Sequence, residues 1–379
     1  MMHVAMDPVP LIGDRTGVGR YAHELLRALL ARPDPPSVTL TTLSARRPAR
    51  PDLPGPARWR HRHVPSRLVE RLWDLGVVPA ELLVGRADVF HATNFVAPPL
   101  RRTPVVATIH DLSYERFPDT VDARVARYRE RVPETLSRGA FVITLSRAVA
   151  EEVIARYQLE PERVTAIAPG VEAEWATGHP GGETWRVRLA LPSTYVLLVG
   201  STGRRKNPNL LVEAHRRANE LDADVPPLVL AGPPPAADLS DAVSGRGGTV
   251  LGYLGDRDLR SVVAGAACVV LPSMYEGFGL PVLEAMAAGT PVVASDIPAH
   301  REASGGLATL VPLAGTATGL EGDGPVDDTT ADAFASAIVA TVRHGAAGGD
   351  ERRQWAEQFT WERAAAETVA VYARAAASR

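Results

Sequence analysis

The sequence predicts an α/β protein of two domains, each built on a parallel sheet with helices packed on its faces. Three observations predict it. A chain of 379 residues is too long for one ordinary core and suggests two domains. Short, continuous apolar runs alternate with helical stretches, and such runs are the signature of buried parallel strands. Several runs end in Gly-containing loops that open directly into a helix, the strand–loop–helix order of open α/β sheets.

Composition bounds the function. Apolar residues make up 45% of the chain, as in a globular protein. The net charge of −3 gives no overall basic excess for nucleic acid. Up to residue 180 there are 24 basic and 21 acidic side chains, and beyond it 17 and 23, so the first half is mildly basic. The single cysteine, Cys268, lies in a predicted strand, where burial is its expected role. No stretch reaches the ~18 apolar residues of a membrane helix. The N-terminus lacks an apolar signal core, so a cytoplasmic protein is expected.

In chain order, His3 to Pro8 reads as the first strand and Gly19 to Leu30 as the first helix, joined by LIGDRTGVG. Gly17 and Gly19 allow a ligand to approach the backbone at a helix start. The spacing Gly17, Gly19, Ala22 also fits the dinucleotide fingerprint G-x-G-x-x-A. The glycines stand too far from the strand for it, however, and the second strand, Val38 to Leu43, ends without a ribose-holding acid. Pro48 to Pro65 is rich in Pro and Arg and reads as an irregular surface segment. Arg67 to Leu83 is amphipathic; it either lies on an anionic membrane surface or packs as an ordinary helix on its own domain.

Asp88 to Ala92 and Pro104 to Ile109 are strands. The second ends at His110-Asp111, which aims His110 at the carboxyl end of the sheet; Tyr114 and Glu115 follow in a loop. Phe141 to Leu145 is a strand, Ser146 the N-cap of the helix Arg147 to Tyr157, and Arg163 to Ala168 the last strand of this half. The stretch 176 to 194 carries Gly, Pro and Thr and marks the domain boundary.

Tyr195 to Gly200 opens the second sheet, and Arg205 and Lys206 follow it just before a helix started by Asn207 and Pro208. Lys206 is the only lysine in the chain. Two cations beside a helix N-terminus, at a strand's carboxyl end, suit a diphosphate. Leu228 to Ala231 and Thr249 to Leu251 continue the sheet. Asp256-Arg257-Asp258 has a metal-type spacing, but apolar residues at helical spacing follow it, so it reads as a helix cap. No catalytic metal is expected.

Cys268 to Asp296, CVVLPSMYEGFGLPVLEAMAAGTPVVASD, reads as strand, tight loop, helix, tight loop, strand. Pro281 stands at the first helical position, and Gly289 with Pro291 stops the helix. Glu276 and Glu284 flank the helix start, with Gly277, Phe278, Gly279 and Leu280 between them. Carboxylates accept hydrogen bonds and so suit hydroxyls, whereas free N–H groups at the helix start suit a phosphate. After the predicted strand Leu307 to Pro312, Ala314 to Asp328 reads as a mobile surface loop. Helices at about 330–343 and 350–358 follow. FTWERAAAETVAVYARA is an amphipathic helix with Trp361, Ala365, Val369 and Tyr372 along its stripe.

EGFGLPVLEAMAAGTPVVAS resembles the E-x7-E signature of the retaining glycosyltransferases of family 4. TGVGRY, IHDLSYERFP, APGVE and the RKN of STGRRKNPN resemble further segments of that family, although Thr202 and Gly203 depart from its usual acidic-Pro pair. The resemblance implies the GT-B fold, two Rossmann-like domains whose parallel sheets face a central cleft. The acceptor domain would be residues 1–175 plus 359–379, the nucleotide-sugar domain 176–358. It implies a nucleoside-diphosphate-sugar co-substrate and no other cofactor, a metal-independent reaction and retained anomeric configuration. Resemblance to the mannosyltransferase-like branch makes GDP-mannose the expected donor, with UDP- and dTDP-sugars as alternatives. The acceptor would be a glycan, a lipid-linked sugar or a small natural product, with peripheral contact at the inner membrane face as an option. Arg205, Lys206, Gly17 and Gly19 would take up the charge of the leaving diphosphate. Glu276 would orient the sugar, Glu284 the ribose, His110 would touch the sugar near its reacting carbon, and Tyr253 would lie near the base. Two other readings are a nucleotide-sugar epimerase or hydrolase of the same fold, and an NAD-dependent dehydrogenase suggested by the first glycine loop.

Overall fold

The structure, a computed structural model, describes residues 1–13, 17–46, 55–74, 78–120, 122–177, 184–314, 327–345 and 347–378. The chain forms two compact units, Met1–Gly170 with Thr360–Arg379, and Val171–Phe359. The first boundary falls a few residues before the one drawn from the sequence. The reason is Trp175: it is fully buried, and its short helix Glu174–Thr177 packs on the helix Leu280–Ala288 of the second unit. The Val171 N–H donates to the Phe359 carbonyl at 3.0 Å where the chain passes between the units.

Among the described residues, unit 1 has seven strands: β1 His3–Met6, β2 Ser37–Ser44, β3 Arg58–His63, β4 Val89–Ala92, β5 Val105–Ile109, β6 Phe141–Thr144 and β7 Val164–Ala166. They form one parallel sheet in the order β3-β2-β1-β4-β5-β6-β7. The central strands are buried on both faces, as in a sheet covered by helices on both sides. β3 corrects the expectation of an irregular 48–65 segment. Its RWRHRH carries no apolar run, but it pairs with β2 along its whole length, from Thr39↔Arg58 to Ser44↔His63. His61 Nδ1 lies 3.0 Å from the Thr42 hydroxyl, while the arginines face solvent. A charged edge strand of this kind resists pairing with another chain. The Pro-rich part, 47–54, lies outside the described residues.

The amphipathic stretch at 67–83 is not one helix. It is the helix Ser66–Asp74 and a separate turn Glu81–Val84, with 75–77 outside the described residues. No helix among the described residues is long and apolar enough to cross a membrane. Ser146 caps the helix Arg147–Tyr157 as expected, accepting from the Val149 N–H at 3.2 Å.

The last helix, Trp361–Ala377, belongs to unit 1 and packs on the helix Gly17–Ala31. Its buried stripe runs through Trp361, Ala364, Ala365, Thr368, Val371, Tyr372 and Ala375; Val369, expected on it, is half-buried beside it. Tyr372 reaches the sheet, its hydroxyl 2.7 Å from His91 Nδ1.

Unit 2 has six described strands: β8 Val196–Val199, β9 Leu228–Ala231, β10 Thr249–Val250, β11 Cys268–Leu271, β12 Val292–Ser295 and β13 Thr309–Val311. They form a second parallel sheet, β10-β9-β8-β11-β12-β13, in which Cys268 is fully buried. The helix Leu280–Ala288 is capped by Gly279 and Gly289, both in the left-handed region, and places Pro281 second rather than first. Asp256 and Asp258 occupy the first turn of the helix Asp256–Ala264, whose N-cap is Gly255; they complement its dipole without capping it. Part of the linker (178–183) and most of the Gly- and Thr-rich segment (315–326) lie outside the described residues; within the linker Thr184–Arg188 forms a short helix.

Candidate functional site

In an open parallel sheet the ligand crevice forms where strand order reverses, because the connections on either side leave in opposite directions. In unit 2 that point lies between β8 and β11. The turn Arg204–Lys206 follows β8 and the loop 272–279 follows β11, so topology alone brings the two charged segments together.

The contacts are direct. Arg205 Nη1 donates to Glu276 Oε2 at 2.8 Å and to the Tyr275 carbonyl at 2.6 Å. Lys206 Nζ donates to Glu276 Oε1 at 2.5 Å. The Met274 N–H closes the arrangement on the Arg205 carbonyl at 2.8 Å. Glu276 is buried, Lys206 nearly so, and Arg205 keeps about a quarter of its side chain exposed (24%). Burial alone would raise the Glu276 pKa; the charges of Lys206 and Arg205 more than reverse this and hold the carboxyl well below the usual range. Two cations on one carboxylate leave the cluster net positive, beside the N-termini of the helices Pro208–Leu221 and Leu280–Ala288. Such a crevice can take up a diphosphate and present a carboxylate to hydroxyls.

The loop after β11 needs its glycines. Gly279 has φ +95°, and a Cβ there would stand 3.1 Å from His300 Cδ2. A Cβ on Gly232, at the end of β9, would fall 2.1 Å from the Gly200 carbonyl oxygen at the end of β8. The strand ends therefore meet as bare backbone. Phe278 is buried edge-on to Phe359 at 5.8 Å, so its offering to a ligand is its main chain. Glu284 is buried in the second turn of its helix, and Tyr253 is 64% exposed after β10.

His300 is a site residue that sequence reasoning missed. It is fully buried beneath the glycine loop, and its Nδ1 lies 2.9 Å from the Ser295 carbonyl, so that nitrogen carries the proton. Its Nε2 is buried with no hydrogen-bond partner among the described residues. Burial lowers its pKa against the pull of Glu276, leaving a neutral ring. The available signal was its place: like His110, it closely follows the carboxyl end of a strand.

In unit 1, His110 follows β5. Its Nε2–H donates to the Thr93 carbonyl at 2.8 Å, and Tyr21 packs edge-on at 5.1 Å. Burial keeps the imidazole neutral, with Nδ1 the unprotonated nitrogen. Gly17 is exposed and Gly19 buried at the start of the helix Gly17–Ala31. Tyr114 and Glu115, expected in a loop, lie in the short helix Ser113–Arg116 and belong to the packing. Tyr114 is fully buried with its hydroxyl 2.8 Å from that of Tyr157, and Glu115 pairs with Arg156 at 3.1 Å.

Comparison with known proteins agrees with this construction. Sequence models of two families match: "Glycosyltransferase Family 4" over residues 15–175 and "Glycosyl transferases group 1" over residues 183–307. The chain is 29% identical over 302 residues to the O-antigen chain mannosyltransferase B of Escherichia coli, covering 75% of this chain and 74% of the relative. It is also 29% identical over 327 residues to the MMP α-(1→4)-mannosyltransferase of Mycolicibacterium hassiacum, covering 79% and 74%. Among solved structures, WaaG, a glycosyltransferase involved in lipopolysaccharide biosynthesis, superposes with a TM-score of 0.69 at 18% identity, over 96% of this chain and 98% of WaaG, which speaks for the GT-B fold. With a family 4 segment in the first unit, a group 1 segment in the second and the charged crevice at the second unit's switch point, the chain belongs to the glycosyltransferases of family 4.

Proposed function

We propose that this chain moves a mannosyl residue from GDP-mannose to a hydroxyl of a glycan, lipid-linked sugar or small natural product, with retention and without a metal. One observation carries the reading: the net-positive cluster of Arg205, Lys206 and Glu276 at the carboxyl ends of β8 and β11. The main barrier to glycosyl transfer is departure of the nucleoside diphosphate. Fixed cations and helix N-termini stabilise charge that grows in the transition state, and do so without reorganising. Arg205 and Lys206 supply the cations, and Glu276 holds both in place.

Glu276 would accept hydrogen bonds from hydroxyls of the sugar while keeping its cations aligned. Glu284 is assigned to the ribose, Tyr253 to the base, Gly17 and Gly19 to the phosphates, and His110 to the sugar beside the reacting carbon. These roles follow the family resemblance. The acceptor oxygen attacks the anomeric carbon on the face from which the diphosphate leaves. The C–O bond to phosphate breaks as the new one forms, and the leaving phosphate oxygen receives the acceptor's proton. The named mannosyltransferase relatives favour mannose as the sugar.

The test is a thermal-shift panel of nucleoside diphosphates and their sugars, followed by product analysis with the best donor. GDP and GDP-mannose are expected to raise Tm most, since a ligand at ~100 times its Kd adds about 2.7 kcal/mol. Donor consumption that needs no acceptor would assign the chain to hydrolysis or epimerisation instead.

A further inference from the structure

Unit 1 has a switch point of its own, between β1 and β4. Asp7 is the first residue after β1, and Thr93 and Asn94 follow β4. The Asp7 N–H donates to the His91 carbonyl at 2.9 Å, and the Thr93 hydroxyl to the Asp7 carbonyl at 3.4 Å. The Thr93 carbonyl in turn holds the His110 ring. Asp7 and His110 thus close the ends of β1 and β5 with β4 between them, a backbone separation of roughly 10 Å at ordinary strand spacing. That span suits a single sugar or cyclitol ring.

The side chains around Asp7 match a hydroxyl, which is both donor and acceptor. Asp7 is half-buried, and its Oδ1 accepts the Val9 N–H at 3.0 Å. Asn94 Nδ2 donates to the Tyr128 hydroxyl at 3.1 Å, which leaves the Tyr128 proton to give and the Asn94 Oδ1 to receive. Tyr128 is fixed by stacking on Phe95 at 4.7 Å. Unlike Glu276, Asp7 has no tight pair of cations among the described residues; burial outweighs the Val9 N–H and Arg124 and pushes its carboxyl up to about 6. Burial and the Asp7 and Asp122 charges raise the Tyr128 phenol, against Arg124 and Asn94, which places the Asp7 and Tyr128 groups in one field. A phosphate would meet carboxylate and carbonyl oxygens here, so the set favours a neutral polyol.

We propose that Asp7, with Asn94 and Tyr128, anchors the acceptor by its hydroxyls at the switch point of unit 1. The proposal rests on the transferase reading above and supplies its acceptor half. The bland alternative is that Asp7 merely folds its own turn by accepting the Val9 N–H. Asp7→Asn separates the two, because an amide oxygen accepts that N–H equally well while the charge is gone.

The experiment uses the full chain, GDP-mannose, and methyl α-D-mannopyranoside and myo-inositol as acceptor probes. Asp7→Asn is expected to raise the acceptor KM at least ~10-fold, on the scale of losing a charged hydrogen bond, and to leave the GDP-induced Tm shift unchanged. Tyr128→Phe is expected to raise the acceptor KM by a smaller factor. In the parent, kcat/KM for the acceptor should fall as pH drops through about 6, and Asp7→Asn should flatten that limb. Among the described residues, Arg124 acts on Asp7, and Asp7 acts with Asp122 on the Tyr128 phenol. Burial pushes His91 down to about 3 and lowers His110 from its ordinary value. An unchanged acceptor KM in Asp7→Asn overturns the proposal while leaving the transferase reading standing. A parent chain whose Tm no nucleoside diphosphate raises, and which consumes no donor in the presence of either probe, removes both.

Discussion

Lys206 is tied to Glu276, and Glu276 is shared with Arg205, so either cation of the donor cluster can be removed without stranding Glu276. Lys206→Ala leaves Glu276 paired with Arg205; transfer should fall ~100-fold or more, as on losing one charge-stabilising group, with circular dichroism unchanged. Glu276→Gln frees both cations. It should retain the GDP-induced Tm shift yet transfer poorly; loss of that shift would mean that Glu276, not the cations, recruits the nucleotide. The depressed Glu276 pKa also fixes a sign. Its ionic contribution to stability is complete above the ordinary carboxylate value of 4.5 and is lost as pH falls below it. The Tm gap between parent and Glu276→Gln should therefore narrow from about pH 4.5 downward. At this scale the sequence was only partly legible. Lys206 stood out because no other lysine exists. Asp7 and His300 did not, because the meaning of each depends on which strand lies beside it, and strand order is not written in local pattern.

The segment from β11 to β12 was legible because every local signal agreed: apolar strand, glycine loop, proline near the helix start, glycine at its end. The Ser146 cap was legible for the same reason. β3 was not, since Arg58 to His63 forms a strand only by pairing with β2, a tertiary cause that overrides a polar pattern. The loop after β11 gives a prediction at this scale. Gly279→Ala forces an L-residue to φ +95° and sets its methyl 3.1 Å from His300. A loss of ~1–2 kcal/mol is expected from the backbone alone, read by chemical denaturation. Transfer should fall further than stability does, because the displaced backbone forms the helix start facing the cations. Wild-type transfer in a folded Gly279→Ala variant would take this loop out of the site.

Over the whole molecule, the sequence announced two parallel-sheet units and a C-terminal helix returning to the first, and its boundary was off only where Trp175 is buried against the second. That returning helix carries Tyr372, whose hydroxyl lies beside the fully buried His91; His91 Nε2 in turn lies 2.8 Å from the Thr108 hydroxyl. Tyr372→Phe leaves a buried ring nitrogen without its partner. It should destabilise unit 1 by ~1–3 kcal/mol, seen as a lower Tm, while the GDP-induced shift, which reads unit 2, persists. Because Thr360–Arg379 completes unit 1 yet follows all of Val171–Phe359, the ribosome must make about 190 intervening residues first. At translation speeds of ~5–20 residues per second, that is a wait of roughly 10–40 s. Through it the nascent Met1–Gly170 lacks the Trp361 and Tyr372 rings that pack on Tyr21 and His91, so the surface they cover stays open to water during that interval.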